Sequence, residues 1–112
     1  MLDSEDVEIN KQIYEIYLRS IEKNKKVAIV TNTLHQNVNK ILMMLELQPD
    51  FIVSGEDFDK IKPFPDMYEF AIEKFNIKPE KILAFEDTDS GINAAISASL
   101  KVVDVRTGAL HG

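Results

Sequence analysis

Four short apolar runs, rich in β-branched residues and separated by segments of helical period, constrain this chain more than any other feature of its sequence. They are Lys26-Val27-Ala28-Ile29-Val30-Thr31, Phe51-Ile52-Val53-Ser54 closed by Gly55, Lys81-Ile82-Leu83-Ala84-Phe85, and Leu100-Lys101-Val102-Val103-Asp104-Val105. Runs without polar alternation read as strands covered on both faces, the habit of parallel sheets. Residues 5–23 set Ile9, Ile13, Ile16 and Ser20 on one helical side, with Tyr14, Leu18 and Ile21 beside it. Residues 34–47 repeat Leu34, Val38, Ile41, Leu42 and Leu45; Thr33-x-x-Gln36 has the form of a capping box, and Pro49 ends the segment. Residues 66–75 carry Met67, Phe70, Ala71 and Phe75 behind Pro65, which suits a first-turn position. Residues 90–99 are small and helix-tolerant, with Ala94, Ala95, Ile96 and Ala98. This alternation predicts an α/β fold, an open parallel sheet with helices on both faces and right-handed crossovers. With 112 residues and no internal repeat or linker, residues 1–112 are expected to form a single domain.

Composition removes several functional classes. Thirteen basic against 19 acidic residues give a net charge of −6 and a pI near 4.8. No basic stripe exists to displace counterions, so no nucleic-acid partner is expected. The absence of cysteine excludes disulfide frameworks, thiolate nucleophiles and Cys-based zinc sites. No apolar run approaches the roughly 20 residues that span a bilayer, and Met1 to Glu8 is acidic without the apolar centre of a signal peptide. A cytoplasmic protein with no membrane partner is expected.

Ligands of open parallel sheets gather beyond the carboxyl ends of the strands. Thr31-Asn32-Thr33 follows the first run, Gly55 to Asp59 and then Lys62-Pro63-Phe64-Pro65-Asp66 the second, Glu86 to Gly91 the third, and Arg106-Thr107-Gly108 the fourth. A hydroxyl and an amide, a lysine and an acidic cluster on one edge suit a phosphate held near a divalent cation. The hydroxyl and ammonium donate to anionic oxygens, and carboxylates hold hard Mg²⁺. Each piece also has a plainer role. Thr31 and Thr33 suit helix capping, Lys62 a solvated loop, Asp66 an N-terminal cap, and Glu86, Asp87 and Asp89 the exposed N–H groups of a following helix. His35 and His111 have no partner pattern and read as surface residues. The ordered combination at strand ends favours the ligand reading.

In that combination, residues 26–105 resemble the haloacid dehalogenase superfamily, most closely its β-phosphoglucomutase-like phosphatases and mutases. Lys26 to Asn32 looks like the family's second motif, a strand ending in Ser or Thr that binds the transferring phosphoryl group. Lys62-Pro63-Phe64-Pro65-Asp66 looks like the K-P-x-P-D form of the third, whose lysine neutralises charge around that group. Phe85 to Ala95 looks like the fourth, E-D-x-x-x-G-I-x-A-A, whose acidic pair holds Mg²⁺. The resemblance implies a Rossmann-like core, Thr31 and Lys62 in catalysis, Thr31, Asn32 and Lys62 on phosphate, and Glu86 and Asp87 on Mg²⁺. The binding is expected to be weak, because the family's first motif supplies further ligands.

That first motif, a strand ending in D-x-D-x-T whose leading Asp is the nucleophile, has no counterpart before Thr31, and no cap domain follows one. Asp57-Phe58-Asp59 leads into Lys60-Ile61-Lys62 without the hydroxyl residue; Asp87-Thr88-Asp89 fits the fourth motif better, and as a first motif would leave only residues 92–112 downstream. A two-component receiver domain expects acid pair, Thr, then Lys, whereas this chain runs Thr, Lys, acid pair. Ser99 stands where the family has Gly between helix and last strand, a left-handed position less comfortable for serine. The expectation is therefore an incomplete, truncated core, lacking first strand and cap. It carries the phosphate- and Mg²⁺-binding half of a hydrolase for a small phosphorylated metabolite and is inactive as an isolated chain. The alternative is a non-enzymatic remnant or interaction module. Removing a central strand leaves two two-stranded halves, 26–31 with 51–54 and 81–85 with 100–105, which either close the gap and pair directly or keep unpaired edges. Their open edges favour a homo-oligomer or a complementing chain that supplies the missing strand.

Overall fold

Val27 and Asp50 clamp the start of the first strand pair. Asp50 N–H donates to the Val27 carbonyl at 2.8 Å, and Val27 N–H donates to the Asp50 carboxylate at 2.6 Å. From there β1 (Ala28–Thr31) runs parallel to β2 (Phe51–Ser54), in a register that sets Thr31 beside Ser54. This is a computed structural model, and it describes residues 11–112. The chain divides into two compact units that meet in sequence at Asp57 and Phe58.

The first unit contains α1 (Lys11–Glu22), β1, α2 (His35–Leu45), β2 and a 3₁₀ turn over Gly55–Asp57. The helix expected over 5–23 is seen from residue 11; Ile9 lies outside the described residues. On α1 the buried side chain is Tyr17, whereas Leu18 and Ile21 are exposed. The half-buried Ile13, Ile16 and Ser20 keep the expected side, and the stripe turns toward Tyr17 rather than Leu18. The seam of α2 is as its spacing predicts, with Val38 buried and Ile41, Leu42 and Leu45 half-buried.

The capping box is not formed. Leu34 occupies the N-cap position with no side-chain hydrogen bond, and Thr33 N–H instead donates to Thr31 Oγ1 at 3.1 Å. Thr31 thus closes its own turn, and Glu56 reaches the helix start from across the unit, its Oε1 accepting from His35 N–H at 2.5 Å.

The second unit contains α3 (Asp66–Phe75), a 3₁₀ turn over Pro79–Lys81, β3 (Leu83–Glu86), α4 (Asp89–Ser97), β4 (Lys101–Asp104) and β5 (Ala109–His111). β3 and β4 are parallel, Leu83 facing Lys101 and Glu86 facing Asp104. β5 was not apparent in the sequence and adds an antiparallel edge to β4. Each unit thus has its own sheet, β1-β2 and β3-β4-β5, in line with the two expected halves apart from the added hairpin strand.

Ala94 and Ala95, both fully buried, let α4 lie close on β3 and β4, and Leu100 and Val102 are buried as well. The helix ends in a Schellman turn: Ser99 takes φ +69°, its N–H donates to Ile96, and Leu100 N–H donates to Ala95. The left-handed serine anticipated from the sequence is therefore present. Coverage of the strands is thinner than continuous apolar runs imply. All of β1 is half-buried, and Leu83 on β3 is 48% exposed.

Candidate functional site

β1 delivers Thr31 and Asn32 to its carboxyl end, and side chains from β2 fix the turn that follows. Ser54, fully buried, donates its hydroxyl to the Thr33 carbonyl at 2.7 Å and accepts from Glu56 N–H at 3.3 Å. The turn is thus tied from both strands, with Thr31 half-buried and Asn32 exposed. Ser54 escaped the sequence reading because it closed an apolar run and looked like a strand terminus.

His35 does have partners, contrary to its reading as an isolated surface residue. They lie 21 and 22 positions away, beyond any local pattern. Its backbone bonds Glu56 and its Nε2 stands 2.6 Å from Asp57 Oδ2. The hydrogen bond to Asp57 raises the imidazole pKa above the ordinary 6.5, with smaller help from the Asp57 and Glu56 charges against partial desolvation. Stability from a raised histidine is fully present below its unfolded pKa and is lost as pH rises through the folded one. The tie between α2 and the 55–57 turn should accordingly loosen as pH climbs above the ordinary histidine value. An NMR titration should place His35 above 6.5, with Asp57→Asn returning it toward that value; equal titration in both chains contradicts the pairing.

In the second unit, Lys62 and Glu86 come together. Lys62 precedes α3, its peptide to Pro63 is cis, and its ammonium donates to Glu86 Oε2 at 2.6 Å. The two side chains are 10% and 6% exposed, so this is a buried ion pair. The solvated-loop reading of Lys62 does not hold. Glu86 is the last residue of β3, and the same Oε2 accepts a short hydrogen bond from the Tyr68 hydroxyl. Burial and the Glu86 charge push the Tyr68 phenol far above its usual range, so it remains a donor. Its ring lies under the ammonium, 5.4 Å from Lys62 Nζ to the centroid.

The other Glu86 oxygen lies against Gly91 in the first turn of α4, where an added Cβ would stand 2.0 Å from Oε1. Helix capping falls to neither acid of the pair but to Thr88, whose Oγ1 accepts from Gly91 N–H at 3.1 Å. Asp66 lies in the first turn of α3 and makes no side-chain cap; Pro65 holds the N-cap position.

Asp87 follows Glu86, half-buried. Asp89 accepts from Arg106 Nη2 at 2.7 Å, and Arg106 also grips Asp104 through Nε and Nη2. That grip holds the Asp104 carboxyl below its ordinary value.

The spacing of Met67 and Phe70 in the sequence points the buried face away from Tyr68, whereas Phe70 is 46% exposed. The signal was available: Tyr68, Ala71, Ile72 and Phe75 form an i, i+3, i+4, i+7 seam, and Tyr68 and Ala71 are buried with Met67.

Glu86 and Asp87 supply oxygen donors suited to a hard cation, yet one Glu86 oxygen already accepts two hydrogen bonds. Among the described residues no group of three or more His, Asp or Glu could hold a metal ion. Mg²⁺ demands near-octahedral coordination, which these two carboxylates alone do not supply.

The sequence profile of haloacid dehalogenase-like hydrolases matches residues 2–105. The chain belongs to this family. It is 36% identical over 81 residues to a phosphorylated carbohydrates phosphatase of Thermotoga maritima, covering 70% of this chain and 38% of that protein. It is 38% identical over 81 residues to a phosphoglycolate phosphatase of Aquifex aeolicus, with the same coverages of 70% and 38%. Among solved structures it resembles a Thermotoga maritima protein described as a β-phosphoglucomutase, with TM-score 0.74 and 32% identity over 83% of this chain and 44% of that one. CbbY of Rhodobacter sphaeroides, solved with phosphate, gives TM-score 0.75 and 26% identity over 82% of this chain and 43% of its own. The chain therefore spans less than half the length of these relatives, matching their C-terminal portion. Among the described residues no helix is long and apolar enough to cross a membrane.

Proposed function

We propose that this chain is the phosphate-holding half of a haloacid dehalogenase-like phosphatase or phosphomutase for small phosphorylated metabolites, and that it does not turn over alone. The observation that carries the reading is the buried Lys62–Glu86 pair at the carboxyl end of β3. A buried lysine–carboxylate pair adds little net stability for its desolvation cost, which favours a role for the Lys62 charge in holding an anionic ligand. Thr31 and Asn32 end β1 as hydrogen-bonding groups suited to phosphoryl oxygens.

The missing part is a nucleophile. Aspartyl catalysis splits phosphoryl transfer in two: a carboxylate oxygen displaces the ester oxygen at phosphorus, and water then cleaves the acyl phosphate. The two D-x-D pairs of the chain have other engagements. Asp57 bonds His35, and Asp89 bonds Arg106 while Thr88 caps α4. This reading calls for a D-x-D-x-T segment from outside these 112 residues, on a longer form of the same polypeptide or on a complementing one.

Phosphatases of this superfamily generally use Mg²⁺. Bound at Asp87 and Glu86, it would neutralise charge on phosphoryl oxygens, and two carboxylates give weak affinity. Amide NMR with Mg²⁺ and then inorganic phosphate tests the reading. Millimolar Mg²⁺ should move residues 85–91 selectively, and phosphate should then move Thr31, Asn32 and Lys62. Shifts spread evenly over the acidic surface, with none at Thr31 or Lys62, would favour the non-enzymatic remnant.

A further inference from the structure

We infer that Tyr68 is a positioning residue for Lys62, its hydroxyl and its ring together fixing where the ammonium stands. The inference rests on the reading of Lys62 as a phosphate ligand for its functional meaning, though its geometry lies wholly within the second unit. Glu86 is the hinge of the arrangement. Its Oε2 takes both the Lys62 ammonium and the Tyr68 hydroxyl, and its other oxygen abuts Gly91, so the carboxylate has one seat.

A carboxylate held by lysine alone would follow the flexible four-carbon stem. Held also by a phenol on the rigid helix α3, it stays put, and the ammonium is referred to the helix rather than to its own loop. The ring adds a second hold, since the ammonium lies 5.4 Å from the centroid, within cation–π range. Tyr68 is 7% exposed, so water does not replace either contact readily. Phenylalanine at this position keeps the ring and removes the hydroxyl; leucine removes both.

The experiment follows the side chains directly in the full chain. In the unsubstituted protein, the Lys62 ammonium protons should exchange slowly enough for ¹H–¹⁵N detection, with Overhauser contacts to the Tyr68 ring. Absence of those contacts overturns the inference without any variant. In Tyr68→Phe, ammonium exchange should speed by about tenfold, as expected for loss of a hydrogen bond to a charged group, and further in Tyr68→Leu. The Val102 amide, in the core of β4, serves as the control. Equal acceleration at Val102 and Lys62 would mean that Tyr68 acts only on overall stability and would overturn the positioning role. Inorganic phosphate separates the two readings. A wild-type chain that shows the ammonium effects and binds no phosphate keeps the positioning inference and sinks the proposed function.

Discussion

Replacing Lys62 with methionine should destabilise the second unit by about 3–5 kcal/mol, the cost of leaving a buried carboxylate without its counter-charge. Glu86 is 5% exposed overall, and without Lys62 the neutral Tyr68 hydroxyl is left to donate to its carboxylate. The penalty belongs to the orphaned charge and not to the worth of the pair. Adding Glu86→Gln to Lys62→Met should therefore recover much of the loss, a non-additivity that a double-mutant cycle measures. Urea unfolding is the assay, with a lowered midpoint at unchanged slope. A loss below about 1 kcal/mol would place Lys62–Glu86 among surface pairs, against its burial here.

Gly91→Ala should cost about 1–3 kcal/mol, as overpacking does, although alanine is the better helix former by nearly 1 kcal/mol. The new Cβ would meet Glu86 Oε1 at 2.0 Å and the carboxyl carbon at 2.3 Å. A free side chain would swing aside, but this one is held by Lys62 and Tyr68. Glu86→Ala in the same chain should consequently turn Gly91→Ala from harmful to neutral or better. Gly108→Ala is the contrast: φ is +80° there, with nothing within 4 Å of an added Cβ, so only backbone strain is felt. Stabilisation by Gly91→Ala alone would show that the Glu86 carboxylate does not lie where this structure puts it.

The glycine at position 91 was legible as a motif letter in the sequence, but its cause was not. The cause is a carboxylate from a neighbouring strand, five residues back in sequence and brought over the first turn of α4. Local signals did well where the deciding interactions are local. β2 at Phe51–Ser54 and α3 at Asp66–Phe75 fall where hydrophobic period and proline placed them, and Ser99 takes the left-handed conformation that its place between helix and strand required.

What failed was settled at long range. Thr33-x-x-Gln36 has the letters of a capping box, but Ser54 and Thr31 engage Thr33, and Glu56 takes the helix start. β5 has only Ala109, Leu110 and His111, all exposed, and exists through pairing with β4. In the candidate site, Lys62 and Glu86 were legible by type and order. Tyr68 was not, because an aromatic on a helix reads as core until its hydroxyl is seen to have a carboxylate.

On the proposed reading, this chain holds phosphate without a nucleophile of its own. The most direct measurement is hydrolysis of an aryl phosphate and of sugar phosphates with Mg²⁺, followed by a search for hydroxylamine-labile phosphate on the protein. The expected result is no turnover and no labile phosphate from the chain alone, with both gained on adding a polypeptide that bears D-x-D-x-T. Clear turnover by the chain alone, lost in Lys62→Ala and Asp87→Ala and accompanied by a labile phosphoenzyme, would contradict the account and make Asp87-Thr88-Asp89 the nucleophilic motif.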